Sequence, residues 1–371
     1  MRKIFLITER RADYSRFQPI LNVIENDPEL DYDLVVTGLH LKPEHGYTIN
    51  EIKADGFRIF STFEMFLESE DSGGAMVRSY AEAVKKVTYE LEKSQPDIIL
   101  SGFDIAANAA VTLAGAHMNI PVAHIQGGEV TGTIDESIRH AMSKFAHFHF
   151  AANKDACDRL IKMGEIPEHV FDVGCPSIDA ILSVKDDKKV VERYGLSEPY
   201  FLLIQHPVTS ENNQSNTQIQ ITLEAIKQSG INALIILPNN DAGYSSIVDK
   251  VKNSSIKSVD TLSINDYVNL LRHSSGLIGN SSSGIHEAAS FDVPVINIGS
   301  RQQGRLRPLN VIDVSHDEDQ IMNAIRECEE VKAKKISFEN PYGDGKSADR
   351  IVELLKSLDI SEKIVQKRIT Y

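Results

Sequence analysis

The sequence predicts an α/β protein built as two domains in tandem, each a parallel sheet wrapped by helices. Three observations carry that expectation. Short apolar runs alternate with longer amphipathic stretches, which is how strand–helix–strand units read. The runs are near-continuous Val, Ile and Leu, as strands covered by helices on both faces require. The alternation stops once, across a charged, lysine-rich segment from Ser183 to Pro199, and then restarts. With 371 residues, 42% of them hydrophobic and 25% charged, the chain can bury two cores of ordinary size. The expected domains are residues 1–184 and 185–371, with the last helix able to pack back on the first domain. They are expected to face one another across a cleft, with ligands at the carboxyl ends of the strands.

Taken in order, KIFLIT (Lys3 to Thr8) is the first strand and Tyr14 to Asn26 the first helix. DLVVTG is a strand, and after a polar loop a helical pattern runs from Ala75 to Lys93. DIILSG (Asp97 to Gly102) comes next, then the alanine-rich helix AANAAVTLAGAHM and the strand PVAHI (Pro121 to Ile125). A helix from Ile134 to Phe145, the strand HFHFAA, a helix from Lys154 to Met163 and the strand VFDVG complete the first half. In the second half YFLLIQ, ALIILP, GLIGN and PVINIG are strands separated by helices, and a final helix spans Ala348 to Leu358.

Composition removes several classes of function. A net charge of −14 supplies no cationic face for a phosphate backbone, so no nucleic-acid partner is expected, although a few arginines can still hold a small anion. The three cysteines, Cys157, Cys175 and Cys328, are scattered and odd in number, matching neither a disulfide framework nor a zinc pattern. No apolar run reaches the length of about 20 residues that a membrane span needs, and Met1 to Ile7 lacks the features of a signal peptide. The expectation is a soluble cytoplasmic protein with no membrane association.

Each unusual polar cluster comes directly after a strand. TERRADYSR places Arg11 and Ser15 at a helix start, where open backbone N–H groups and the helix dipole favour an anion. The same turn lacks the glycines of a dinucleotide or ATP loop, so neither cofactor is indicated. Asp104 comes after DIILSG, where an aspartate is either an N-cap or a functional acid. HIQGGEVTGTIDESIRH brings Gln126, a glycine pair, Glu129, Asp135, Glu136, Arg139 and His140 into one loop and helix start. Closely grouped carboxylates of differing environment suit proton transfer at carbon, although a solvated charge cluster would look similar. His206 comes after YFLLIQ, and Asn239 lies in the turn PNNDAG. GNSSSGIHEAA, with Ser281, Ser282 and Glu287, is a serine-rich strand-to-helix turn of the kind that offers N–H groups and hydroxyls to phosphate. Arg301 in GSRQQGR adds a guanidinium suited to a diphosphate.

Read together, RADYS, TGLHL, HIQGGEVTGTIDESIRHA, GCPSID, QHPVT, PNNDAG, GNSSSGIHE and GSRQQGR resemble, in order, the hydrolysing UDP-N-acetylglucosamine 2-epimerases of the sialic-acid and legionaminic-acid pathways. The resemblance implies two Rossmann-like domains in a GT-B-like arrangement, no cofactor and no metal, and a homodimer or homotetramer. It implies a reaction on a nucleotide-sugar substrate: loss of the C2 proton with expulsion of the nucleoside diphosphate, then addition of water at C1 and reprotonation at C2. Carried over by position, Arg11, Ser15, Asn239, Ser281, Ser282, Glu287 and Arg301 belong to the nucleotide-diphosphate group. Asp104, Gln126, Asp135, Glu136, Arg139 and His206 belong to the sugar-facing catalytic group, with His206 on or beside the departing diphosphate.

The chain departs from the family in three places. Where relatives commonly carry Gly-Asp-Arg-x-(Glu or Asp), it reads Phe103-Asp104-Ile105-Ala106-Ala107, and Gln126 stands where many relatives have glutamate. An amide cannot be the base, so Asp104 or the Asp135–Glu136 pair would have to act. Glu9-Arg10 replaces a small Gly-Thr pair, which would let Arg10 supply the missing guanidinium. The first expected substrate is UDP-N-acetylglucosamine, giving N-acetylmannosamine. The alternative is a UDP- or GDP-linked 2,4-diacetamido-trideoxy sugar (N,N'-diacetylbacillosamine). A GT-B glycosyltransferase and a nucleotide-sugar-binding protein are the readings from other classes.

Overall fold

A computed structural model of the chain describes residues 1–67, 72–131, 134–238 and 243–370. They form two compact units, one of Met1–Glu129, Ile134–Ala180 and Gly343–Tyr371, the other of Val130–Thr133 and Ile181–Tyr342.

The first unit holds seven strands: β1 (Arg2–Thr8), β2 (Leu30–Thr37), β3 (Ile59–Phe63), β4 (Ile98–Gly102), β5 (Val122–Ile125), β6 (Phe148–Ala151) and β7 (Val170–Asp172). They pair in parallel in the order β3-β2-β1-β4-β5-β6-β7. Side chains alternate across the sheet, so Ile4 and Leu6 of β1 enter one core while Phe5 and Ile7 enter the other. The first core takes Phe17, Leu21 and Ile24 from the helix Arg11–Glu25, and the second takes Val87, Leu91, Val111 and Ala114 from the helices Gly73–Ser94 and Ala106–His117. The helix Ser347–Ser357 also belongs to the first core, through Ile351, Val352 and Leu355. Its start is closed by Asp179, whose carboxylate accepts the N–H of Ser347 at 3.1 Å and of Ala348 at 2.7 Å.

The second unit repeats the plan with β8 (Phe201–Ile204), β9 (Ala233–Ile236), β10 (Lys257–Val259), β11 (Gly276–Gly279), β12 (Val295–Ile298) and β13 (Val311–Val314). These are parallel in the order β10-β9-β8-β11-β12-β13. Phe201 and Leu203 face one core and Leu202 and Ile204 the other. Both sheets are therefore of the doubly wound α/β class that the apolar runs predict. In each, the chain winds outward from the first strand and then returns to its other side, which makes a topological switch point between β1 and β4, and between β8 and β11.

Three strands, β3, β10 and β13, are absent from the pattern of apolar runs. All three are sheet edges whose residues are mostly half-exposed, so they carry no continuous apolar run. Among the described residues no helix is long and apolar enough to cross a membrane.

This packing has two testable outcomes. Ile351→Ala, at a fully buried position, should lower stability by about 2–4 kcal/mol, read as a shift in the denaturant midpoint. The second concerns acid. Burial lowers His40 and His147 to about 4 and His124 to about 3, so these rings stay neutral in the native state below the ordinary value of 6.5. The unfolded chain then binds more protons, and stability should fall as pH drops from about 6.5 towards 4, by on the order of 1 kcal/mol per pH unit for each ring. Asp13, raised to about 6 by burial, acts in the opposite sense over part of that window. Urea titrations at stepped pH would read the slope, and His147→Gln should make it shallower.

Candidate functional site

In the first unit the polar groups gather where β1, β4 and β5 end, around the switch point. β4 runs into Phe103 and Asp104, and β5 into Gln126. Phe103 and Gln126 both have left-handed backbone, with φ of 69° and 59°, so each strand turns sharply as it leaves the sheet. Gly128, at φ 80°, lies so close to the helix Lys154–Lys162 that a Cβ would stand 2.4 Å from the Ala156 carbonyl oxygen.

Arg139, only 3% exposed, is the centre of this group. Its guanidinium pairs with the Asp104 carboxylate and donates to the Glu129 carbonyl oxygen at 3.0 Å. Burial opposes its charge, but Asp104, Glu129 and Asp135 outweigh that and hold it more firmly protonated than usual. Its Nε–H is buried with no hydrogen-bond partner among the described residues. Gln126, itself buried, donates from Nε2 to the Glu129 carboxylate at 3.2 Å. The structure thus assembles Asp104, Gln126, Glu129 and Arg139 from three segments.

Arg139 rides on the helix Ile134–Phe145, whose first turn carries Asp135 and Glu136, where negative charge suits the helix dipole. Glu136 stands 3.9 Å from His140, which burial keeps below its ordinary value. The far end of the helix is held by Lys367, which donates to the carbonyls of Ser143 at 2.6 Å and Ala146 at 2.7 Å. Lys367 also pairs with the fully buried Glu165, which accepts from Lys144 and His149 at 2.9 Å each.

Arg11 and Ser15 lie in the same unit, near the start of the helix Arg11–Glu25. Arg11 pairs with Glu51 at 3.1 Å, and the Ser15 hydroxyl donates to its own helix at the Ala12 carbonyl. Arg10 is bonded to Glu9 at 2.5 Å, and the other Glu9 oxygen accepts the Ala107 N–H at 2.9 Å. Glu9 is fully buried and serves the helix Ala106–His117, which has no side-chain cap of its own from Ile105. A charged pair directly after a buried strand is the signal in the sequence that marks Glu9.

In the second unit Asn280, directly after β11, ties three loops together. Its amide accepts the His206 N–H at 2.7 Å and donates to the His206 carbonyl at 2.9 Å. Its own carbonyl accepts Arg301 at 3.2 Å and Gln302 at 2.8 Å. Gly279 is needed beside it: at φ 123° a Cβ would lie 2.0 Å from the Ile204 carbonyl oxygen. His206 is buried, and both burial and the nearby Arg301 charge push its pKa well down, so the ring is neutral. Ser281 caps the short helix Ser282–His286 by accepting the Ser283 N–H at 3.3 Å. The Ser283 hydroxyl donates to Glu287 at 2.8 Å and meets the Tyr267 hydroxyl. His206, Ser281, Ser282, Glu287 and Arg301 therefore stand around the ends of β8, β11 and β12. Asn280, Gln302 and Tyr267 do not stand out in the sequence; an asparagine between a strand end and a serine-rich turn is the signal that marks the first of them. Asn239 lies outside the described residues. No group of three or more His, Cys, Asp or Glu is placed to hold a metal ion among the described residues.

Residues 22–356 match the family model described as UDP-N-acetylglucosamine 2-epimerase. The chain is 36% identical, over the full length of both proteins, to the UDP-N,N'-diacetylbacillosamine 2-epimerase (hydrolyzing) of Legionella pneumophila. It is 32% identical to a UDP-N-acetylglucosamine 2-epimerase of Neisseria meningitidis, over 99% of this chain and 98% of that protein. The crystal structure of UDP-GlcNAc 2-epimerase from Neisseria meningitidis superposes with a TM-score of 0.82 at 20% identity, covering 95% of this chain and 99% of that one, and the fold is accordingly GT-B-like. On the family match and these full-length relatives, the chain belongs to the UDP-N-acetylglucosamine 2-epimerase family and is an enzyme of the hydrolysing UDP-sugar 2-epimerase type.

Proposed function

We propose that the enzyme hydrolyses and epimerises a UDP-linked 2,4-diacetamido-trideoxy sugar, releasing the free 2-epimer and the nucleoside diphosphate. For the sugar, the support is the full-length 36% identity to the Legionella pneumophila protein, and this puts the diacetamido sugar ahead of UDP-N-acetylglucosamine. For the chemistry, the observation that carries the reading is Arg139: a buried, charged guanidinium among carboxylates, with one buried N–H that has no hydrogen-bond partner among the described residues.

The reaction begins when a carboxylate takes the proton from sugar C2. The C2–H electrons form a C1–C2 double bond as the C1–O bond to the diphosphate breaks. Water then adds its oxygen at C1, and a proton returns to C2 from the opposite face. Asp135, Glu136 and Glu129 are the candidates to move these protons, because the Asp104 carboxylate is engaged in its pair with Arg139. Gln126 orients Glu129 and has no basic role. On the nucleotide side Arg301 supplies positive charge, and the neutral His206 offers a hydrogen bond to the leaving diphosphate. Ser281, Ser282, Arg11, Ser15 and Asn239 complete the proposed nucleotide-diphosphate group, and Glu287, which accepts from Ser283, is assigned to the ribose hydroxyls.

In D₂O, with UDP- and GDP-linked diacetamido sugars and UDP-N-acetylglucosamine assayed in parallel, the diacetamido substrate on UDP should have a kcat/KM at least about tenfold higher, and the released sugar should carry deuterium at C2. Equal or better turnover of UDP-N-acetylglucosamine would overturn the sugar assignment, and diphosphate release only with an added acceptor would overturn the epimerase reading. Arg301→Met should raise KM roughly 10- to 100-fold, the loss of one charge-assisted contact, without a matching loss of thermal stability.

A further inference from the structure

Phe103 is a large, buried residue in left-handed backbone, at φ 69°. Such a conformation is strained for a side chain of this size and persists only where the surroundings hold it. Its N–H is taken by the Ile125 carbonyl at 3.0 Å, and its ring packs edge-on against Phe17. Its carbonyl oxygen meets Nε2 of His124 at 3.1 Å. His124 is fully buried on β5, and its Nδ1 faces the Ser143 hydroxyl at 3.2 Å. That hydroxyl also lies 3.1 Å from the Arg139 carbonyl, one turn earlier on the same helix.

A carbonyl can only accept, so the neutral imidazole carries its proton on Nε2, and its bare Nδ1 shares the single Ser143 hydroxyl proton with the Arg139 carbonyl. Burial lowers His124 to about 3, which keeps the ring in this neutral form throughout the physiological range. The ring thus joins the loop bearing Asp104 to the helix bearing Arg139, the two partners of the part-buried ion pair. Gly127 makes room for the link: a Cβ there would stand 2.9 Å from Ser143 Oγ and 3.0 Å from His124 Nδ1.

We propose that His124 is a positioning residue, whose imidazole clamps the Phe103 carbonyl to the Ser143 hydroxyl and so sets Asp104 at the distance from the helix Ile134–Phe145 where it pairs with Arg139. The effect on turnover rests on the proton-transfer role proposed for Asp135 and Glu136, which ride on the helix this pair fixes; the clamp itself does not.

His124→Gln, His124→Asn and His124→Ala test the clamp. A glutamine amide reaches about as far as Nε2, whereas an asparagine amide reaches only as far as Nδ1. His124→Gln should keep kcat within about fivefold, and the Asn and Ala variants should lose roughly 30- to 100-fold in kcat with KM changed less than about threefold. Crystal structures should retain the Asp104–Arg139 pair in the Gln variant and show it parted in the Ala variant, with Phe103 relaxed out of the left-handed region. Equal kcat in the Gln and Asn variants, or an unchanged pair and unchanged Phe103 in the Ala or Asn variant, overturns the proposal. If the wild-type enzyme releases no free sugar, the functional reading fails on its own and the crystallographic comparison still decides the clamp.

Discussion

A guanidinium among packed strands and helices keeps its charge only if anionic and carbonyl oxygens surround it, and the first unit is organised around that requirement at Arg139. Removing one partner of such a pair costs about 3–5 kcal/mol, because the remaining charge is stranded in a medium of low polarisability. Asp104 supplies the opposite charge and Glu129 supplies its backbone oxygen, so the loops after β4 and β5 are fixed by the same side chain. The left-handed residues Phe103 and Gln126 are the backbone cost of bringing both loops to it.

The second unit solves a comparable problem with a neutral group. Asn280 uses both ends of its amide on the His206 backbone, while its own carbonyl receives Arg301 and Gln302. A single asparagine, through its side-chain amide and its backbone carbonyl, thereby orders loops from three strands without introducing a charge of its own. The two units use the same sheet plan and put their polar residues at the same kind of place, the ends of strands beside a reversal of winding order.

Much of this is legible in the sequence because strands buried on both faces leave a continuous apolar trace, and the residues just past each trace form the sheet's carboxyl edge. Asp104, Gln126, His206 and Arg301 stand out in that way. The hidden part is pairwise. Asp104 and Arg139 are 35 positions apart and nothing local links them. His124 sits inside an apolar run, where a buried histidine reads as part of the strand. Glu9 looks like a solvent-facing residue until the bare start of the helix Ala106–His117 is seen to need an acceptor. The edge strands β3, β10 and β13 escape for the opposite reason, since half-exposed residues dilute the hydrophobic signal.

The helix Ser347–Ser357 gives the chain an unusual assembly schedule. Ile351, Val352 and Leu355 belong to the core that β1 opens, yet every residue of the segment Ile181–Tyr342 leaves the ribosome before them. During synthesis the segment made later can close its hydrophobic interior while the one begun first still lacks a wall. The nascent amino-terminal half must therefore wait with apolar surface uncovered, which makes it the portion for which chaperone protection matters most.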